Sequence, residues 1–268
     1  MDNAAVLALF DRELREQAPP DGPGARVERV GAVVRLTGPA HGWNGVVWSA
    51  LTPAGADAAI AGQIAYFTGL GREFEWKLYG HDLPVDLGRR LVAAGFTPGP
   101  VETLMVGEVG EVGALTLGTE PPEGVRIVPV TDRAGVDLVA DVHERAFGAD
   151  ASRLRRELYG RLTAGTDVVV LAMAGDEPVS AARMELVPDT SFAGLWGGGT
   201  VPGWRGRGVY RALVAHRARV AAERGYRYLQ VDASDESRPI LERLGFHPLT
   251  TTTPYEHPGG TPGRAAAP

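Results

Sequence analysis

Apolar positions recur along the chain in two rhythms, one of about 3.6 residues and one of about two, and their succession predicts a mixed α/β protein. Val6, Leu7, Phe10 and Leu14 fall at helical spacing within Ala4–Gln17. A hairpin turning at Gly31 is expected over Arg26–Thr37, a strand over Gly45–Leu51 and a helix over Ala54–Phe67. A strand at Phe74–Tyr79, a helix from Val85 to Ala94 ending at Gly95, and a strand at Glu102–Val109 complete the first half. The breaker-rich stretch Gly107–Gly124, with Pro121 and Pro122, reads as a linker.

The second half opens with a strand at Val125–Val130 and helices at Ala134–Phe147 and Ala151–Leu162. Asp167–Ala174 and Glu177–Leu186 read as a hairpin turning at Gly175-Asp176, followed by a glycine-rich strand over Ser191–Val201. A helix at Val209–Arg224, a strand at Tyr228–Ala233 and a short helix at Arg238–Leu244, ending at Gly245, follow. From Pro254 the sequence PYEHPGGTPGRAAAP reads as a mobile tail.

The halves share a rhythm of strand, helix, strand, and a helix ending in Gly-Phe. Pro53 and Pro202 lie 149 positions apart, and Gly95 and Gly245 lie 150 apart. Four elements in the same order with two landmarks at nearly the same offset predict a duplicated domain. The expected boundaries are 1–118, 119–253 and a tail over 254–268.

Composition narrows the chemistry. The 268 residues include no cysteine, which excludes disulfides, thiolate metal sites and a thiol nucleophile. No group suggests a metal. The net charge of −6 disfavours a nucleic-acid binder, although seven arginines lie between Arg205 and Arg227 with Glu223 the only acid among them. Lys77 is the only lysine; with the abundant Ala and Gly this suggests a high-GC bacterial genome. No membrane span is expected, and Met1–Arg12 lacks a signal-peptide pattern, so the expected location is the cytoplasm.

The sharpest segment is Thr200-Val-Pro-Gly-Trp-Arg-Gly-Arg-Gly-Val-Tyr-Arg-Ala-Leu213. Arg207 and Arg211 crowd the predicted start of a helix, where the macrodipole favours negative charge. No Ser, Thr, Asp or Asn stands at the N-cap between Gly206 and Val209. A phosphate bound by the first free N–H groups accounts for both features, and Gly206 and Gly208 let the backbone approach it.

Arg205-x-x-Gly208-x-Tyr210, after a strand and opening a helix, resembles the acyl-CoA diphosphate loop of the GCN5-related N-acetyltransferases. The strand YLQVDA and the ending ILERLGF are similar to that family's last strand and helix, so the resemblance covers about Val125–Leu249. It implies two domains of one fold, each a mixed, mostly antiparallel sheet flanked by helices with a splayed parallel strand pair. The first is a degenerate copy: Thr52-Pro-Ala-Gly-Ala-Asp57 has neither the arginines nor the glycine pair.

The resemblance further implies acetyl-CoA as co-substrate and an amine acceptor, either a small molecule or a peptide. The diphosphate falls to Arg205, Gly206, Arg207, Gly208, Val209, Tyr210 and Arg211. Gly198, Gly199 and Thr200 offer backbone groups to the pantetheine arm and to the oxyanion. Ser234 stands where the family often has Asn, and Leu241 where it often has the Tyr that protonates the thiolate. Glu185 is the nearest carboxylate for a base, and Tyr255 a substitute acid. The missing Tyr leaves a second expectation, a catalytically silent acyl-CoA binder.

Overall fold

The computed structural model describes residues 1–259 apart from 23, 40–41 and 162–164. The expected helix end at Leu162 and the tail from 260 onward lie outside the described residues. The first elements are α1 (Asn3–Phe10), continued by a wider helical turn over Asp11–Glu16, then β1 (Arg26–Val30), β2 (Val33–Thr37) and β3 (Asn44–Ser49). Next come α2 (Ala56–Gly69), β4 (Phe74–Tyr79), α3 (Leu87–Ala93), β5 (Thr97–Pro98), β6 (Glu102–Glu108) and α4 (Val109–Leu115). The second half holds β7 (Val125–Pro129), α5 (Arg133–Phe147), α6 (Ser152–Arg161), β8 (Asp167–Ala174), β9 (Glu177–Leu186) and β10 (Phe192–Thr200). A 3-10 turn over Pro202–Trp204 leads to α7 (Val209–Glu223), β11 (Tyr228–Ala233), α8 (Arg238–Glu242) and β12 (His247–His257).

Two compact units result. One runs from Leu104 to Leu249; the other takes Asp2–Thr103 and resumes at Thr250. These limits differ from the expected 118/119 and 253/254, for a physical reason. Strand β6 hydrogen-bonds with β11, and Val109 and Val112 of α4 are buried in the same core, so the expected linker from Gly107 is largely structured. Likewise Thr252–His257 of β12 pairs antiparallel with Tyr79–Phe74 of β4, so the start of the expected tail is a strand. Each unit therefore closes with a strand that follows the other unit's last helix in sequence.

In the unit Leu104–Leu249 the strand order is β6-β11-β10-β9-β8-β7. The strands from β7 to β10 pair antiparallel, and β10–β11 is parallel. Met184, Leu186, Ala193, Leu195, Leu229 and Val231 pack against Val214 and Ala218 of α7 and Val112 of α4. Helix α5 is capped as its sequence allows: Asp132 accepts the Gly135 N–H at 2.8 Å. The parallel pair β10–β11 hydrogen-bonds only over Phe192–Gly194 and Tyr228–Gln230, then parts. That is the splayed pair expected from the sequence.

The other unit orders its strands β1-β2-β3-β4-β12, with β5 on β12. Its parallel pair, β3–β4, is equally brief: Gly45–Val46 against Glu75–Trp76. Ile60, Phe67, Phe74, Trp76, Leu91 and Phe96 fill its core. The sequence offset is visible in hydrogen bonds. Phe96 N–H donates to Leu91 C=O at 3.1 Å, and Phe246 N–H donates to Leu241 C=O at 3.1 Å. Leu91 and Leu241 are both fully buried. The same helix ending, after the same splayed pair, is built twice.

Candidate functional site

The start of α7 is open and uncapped by any side chain. Gly208 occupies the N-cap with φ 85°, a conformation that side chains disfavour, and no side chain caps the helix. Its first turn contains no acidic residue. The first N–H groups therefore point outward with no side-chain acceptor. Among the described residues neither Arg207 nor Arg211 pairs with a carboxylate; Arg207 lies over the Trp204 ring, 4.8 Å from its centroid. Uncapped amides and unpaired guanidinium groups at one helix terminus suit a diphosphate.

Arg205 plays a different part. Its Nε donates to Thr200 C=O at 3.1 Å and its Nη2 to Ala146 C=O at 2.7 Å. It ties the loop to the end of β10 and to α5. The sequence pattern placed it among the phosphate ligands; the structure gives two of its donors to backbone.

The three consecutive glycines of β10, Gly197, Gly198 and Gly199, have three separate reasons. The β9 register slips between Trp196 and Gly199, a bulge in which Gly197 takes φ 58°. A Cβ on Gly198 would stand 2.9 Å from Cε2 of Tyr210, and one on Gly199 would stand 2.7 Å from Cε2 of Phe147. Gly198 thus faces α7 and Gly199 faces α5. The close approaches at Gly198 and Gly199 are to the protein's own rings. Of the backbone groups expected to meet pantetheine, Gly199 C=O accepts from Ser180 Oγ at 2.7 Å and Thr200 C=O accepts from Arg205. The edge of β10 turned toward β11 is left without a strand partner beyond Gly194.

The two expected catalytic residues belong to different units. Glu185 accepts from Trp196 Nε1 at 3.2 Å and lies 3.3 Å from Arg161 Nη2, so both oxygens are engaged. Tyr255 belongs to the other unit. It sits on β12 opposite Trp76, and its hydroxyl packs over Gly88 of α3 so closely that a Cβ there would meet it at 2.4 Å. Ser234 is exposed and serves the turn into α8: its Oγ and its C=O both accept from the Ser237 N–H, at 3.4 and 3.1 Å.

The start of α2, in the unit Asp2–Thr103, is built differently. Asp57 lies in the first turn of α2 and pairs with Arg90 at 2.9 Å. That helix start carries its own carboxylate.

Two groups beside β10 escaped the sequence reading in the roles their surroundings suggest. Burial pushes the Tyr210 phenol up, against a smaller opposing pull from Arg217. Arg217, eight residues into α7, is 1% exposed. Its Nε donates to Leu213 C=O at 3.1 Å and its Nη1 to Arg183 C=O at 3.0 Å. In sequence it was one arginine among seven, and only its heptad spacing from Tyr210 hinted that both share a face.

Comparison with known proteins agrees with this geometry. The profile of the Acetyltransferase (GNAT) family matches residues 136–246. A GCN5-related N-acetyltransferase from Kribbella flavida superposes with a TM-score of 0.67 at 22% identity, over 96% of this chain and 95% of that one. A tandem GNAT protein from the clavulanic acid biosynthesis pathway gives 0.62 at 14% identity, over 90% and 85%. A GCN5-related N-acetyltransferase from Sphaerobacter thermophilus gives 0.58 at 15% identity, over 95% and 90%. No curated protein matches the chain. Splayed strands, an uncapped arginine-flanked helix and the profile match converge on one statement: residues 136–246 of this chain match the model of the Acetyltransferase (GNAT) family.

Proposed function

We propose that the protein transfers an acyl group from acetyl-CoA to an amine, in the unit Leu104–Leu249. The observation that carries this reading is the start of α7, where uncapped amides and the guanidinium groups of Arg207 and Arg211 fit the diphosphate of CoA. Gly206, Gly208, Val209 and Tyr210 complete that loop, and Arg205 shapes it from behind. The unpaired edge of β10 around Gly198–Thr200 accepts the pantetheine arm as an added strand does, and its N–H groups face the charge that develops on the thioester oxygen.

Proton traffic falls to residues other than Glu185 and Tyr255. Tyr210 supplies a phenol beside Gly198 that burial keeps protonated at neutral pH. We assign it the donation to the departing thiolate, since Leu241 has no proton to give. Asp232 shares the Gln230 face of β11 by strand alternation, beyond the point where β10 and β11 part. We assign it the removal of the amine proton. The unit Asp2–Thr103 is, in this reading, a copy that has lost the loop.

The alternative of a silent acyl-CoA binder draws on one fact, the fully buried Leu241 at the usual acid position. Thiol release from acetyl-CoA across a panel of primary amines separates the two. Turnover with any amine supports the transferase; CoA binding with no release across the panel supports the silent binder.

A further inference from the structure

A charged side chain held at 1% exposure normally has a counter-ion, because an unpaired buried charge costs several kcal/mol or more. Arg217 has none. Among the described residues its Nε and Nη1 meet only backbone carbonyls, its Nη2 has no hydrogen-bond partner, and no carboxylate pairs with it. The bulge explains part of this. β10 leaves its register opposite Arg183, and the Arg217 Nη1 takes the Arg183 carbonyl. The remaining Nη2 lies 3.9 Å from where a Cβ on Gly198 would stand, on the wall that carries the Tyr210 ring. Gly198 is itself exposed, and its strand has no partner there on the β11 side. Burial lowers the guanidinium to about 10, with the Tyr210 phenol pulling the other way, so it stays charged at neutral pH.

We propose that Arg217 holds the carboxylate of a substrate at the bulge of β10. This rests on the CoA site proposed above and extends it. The diphosphate itself is not the anion: Arg217 lies eight residues from Val209, about 12 Å along the helix. The carboxylate belongs either to the acyl group at the far end of the thioester or to the acceptor amine. In both cases it meets Nη2 in a charge-assisted hydrogen bond that replaces the missing internal acid.

The test is calorimetric binding to the full-length protein with matched probes. Succinyl-CoA and butyryl-CoA differ by a carboxylate in place of a methyl group and examine the acyl source. A panel of L-amino acids and their amides, added to protein saturated with CoA, examines the acceptor source. The expected result is a preference of about tenfold or more for the carboxylate member in one arm. Arg217→Met should erase that preference and leave butyryl-CoA affinity within twofold, and Arg217→Lys should restore part of it. Equal binding of both members in both arms overturns the proposal without needing any variant, as does a preference that survives in Arg217→Met. Failure to bind either thioester overturns the transferase reading instead, so the two failures are distinct.

Discussion

Replacing Gly208 at the start of α7 separates backbone strain from electrostatics. The residue has φ 85°, and a Cβ there would meet nothing within 4 Å. Gly208→Ala therefore adds no clash and costs only the left-handed conformation, about 1–2 kcal/mol. Gly208→Glu carries the same cost but puts a carboxylate on an uncapped helix terminus, which recovers about 0.3–1 kcal/mol through the macrodipole. The glutamate variant should thus melt at or slightly above the alanine variant. CoA binding should move the opposite way. A carboxylate about 5 Å from a phosphate charge costs about 3 kcal/mol at an effective dielectric constant near 20, more than a hundredfold in affinity. Calorimetric titration with CoA and thermal melting of both variants measure the two effects. Equal CoA affinity in the two variants refutes the placement of the diphosphate at this turn.

Arg211→Ala should weaken CoA binding by about 1–3 kcal/mol with little loss of stability, because its guanidinium has no partner within the described protein. Arg205→Ala should do the reverse in emphasis, costing about 1 kcal/mol of stability through the bonds lost to Thr200 and Ala146. Tyr210→Phe should lower kcat with CoA affinity unchanged, and pre-steady-state thiol release shows whether the acid step has slowed. Leu241→Tyr should destabilise by about 1–3 kcal/mol through overpacking and bring no gain in turnover, since that position lies in the core. In the other unit, burial raises the Asp11 carboxyl, but bonds with His81 at 2.8 Å and Arg15 at 2.6 Å outweigh it, and the net direction is below the usual 3.8. This contribution to stability is present above the unfolded value and is lost as pH falls through the folded one. Asp11→Asn should therefore flatten the acid limb of a melting curve below about pH 4.

Sequence carried the parts of the fold that are local. The α7 start was legible because a missing N-cap and crowded arginines are defects by helix rules, and the Gly-Phe ends because a short motif recurred at one offset. Strand β12 was not: Thr250–Thr253 followed by Pro254 shows no alternation of apolar and polar residues, and its partner β4 lies more than 170 positions earlier. Helix α4 was hidden by Gly110 and Gly113, which mark turns in most contexts, although Val109 and Val112 carry its buried face. Within the site, Glu185 was chosen for nearness in sequence, and its bonds to Trp196 and Arg161 depend on two strands and a helix brought together. The solitude of Arg217 is likewise a tertiary property, visible only once the bulge of β10 has released the Arg183 carbonyl to it.

The most direct measurement of the central claim is amide hydrogen exchange over residues 206–212 with and without CoA. In the free protein the first amides of α7 lack side-chain acceptors and should exchange quickly. Saturating CoA should slow exchange there strongly. Unchanged exchange in that segment, with CoA demonstrably bound, contradicts the account.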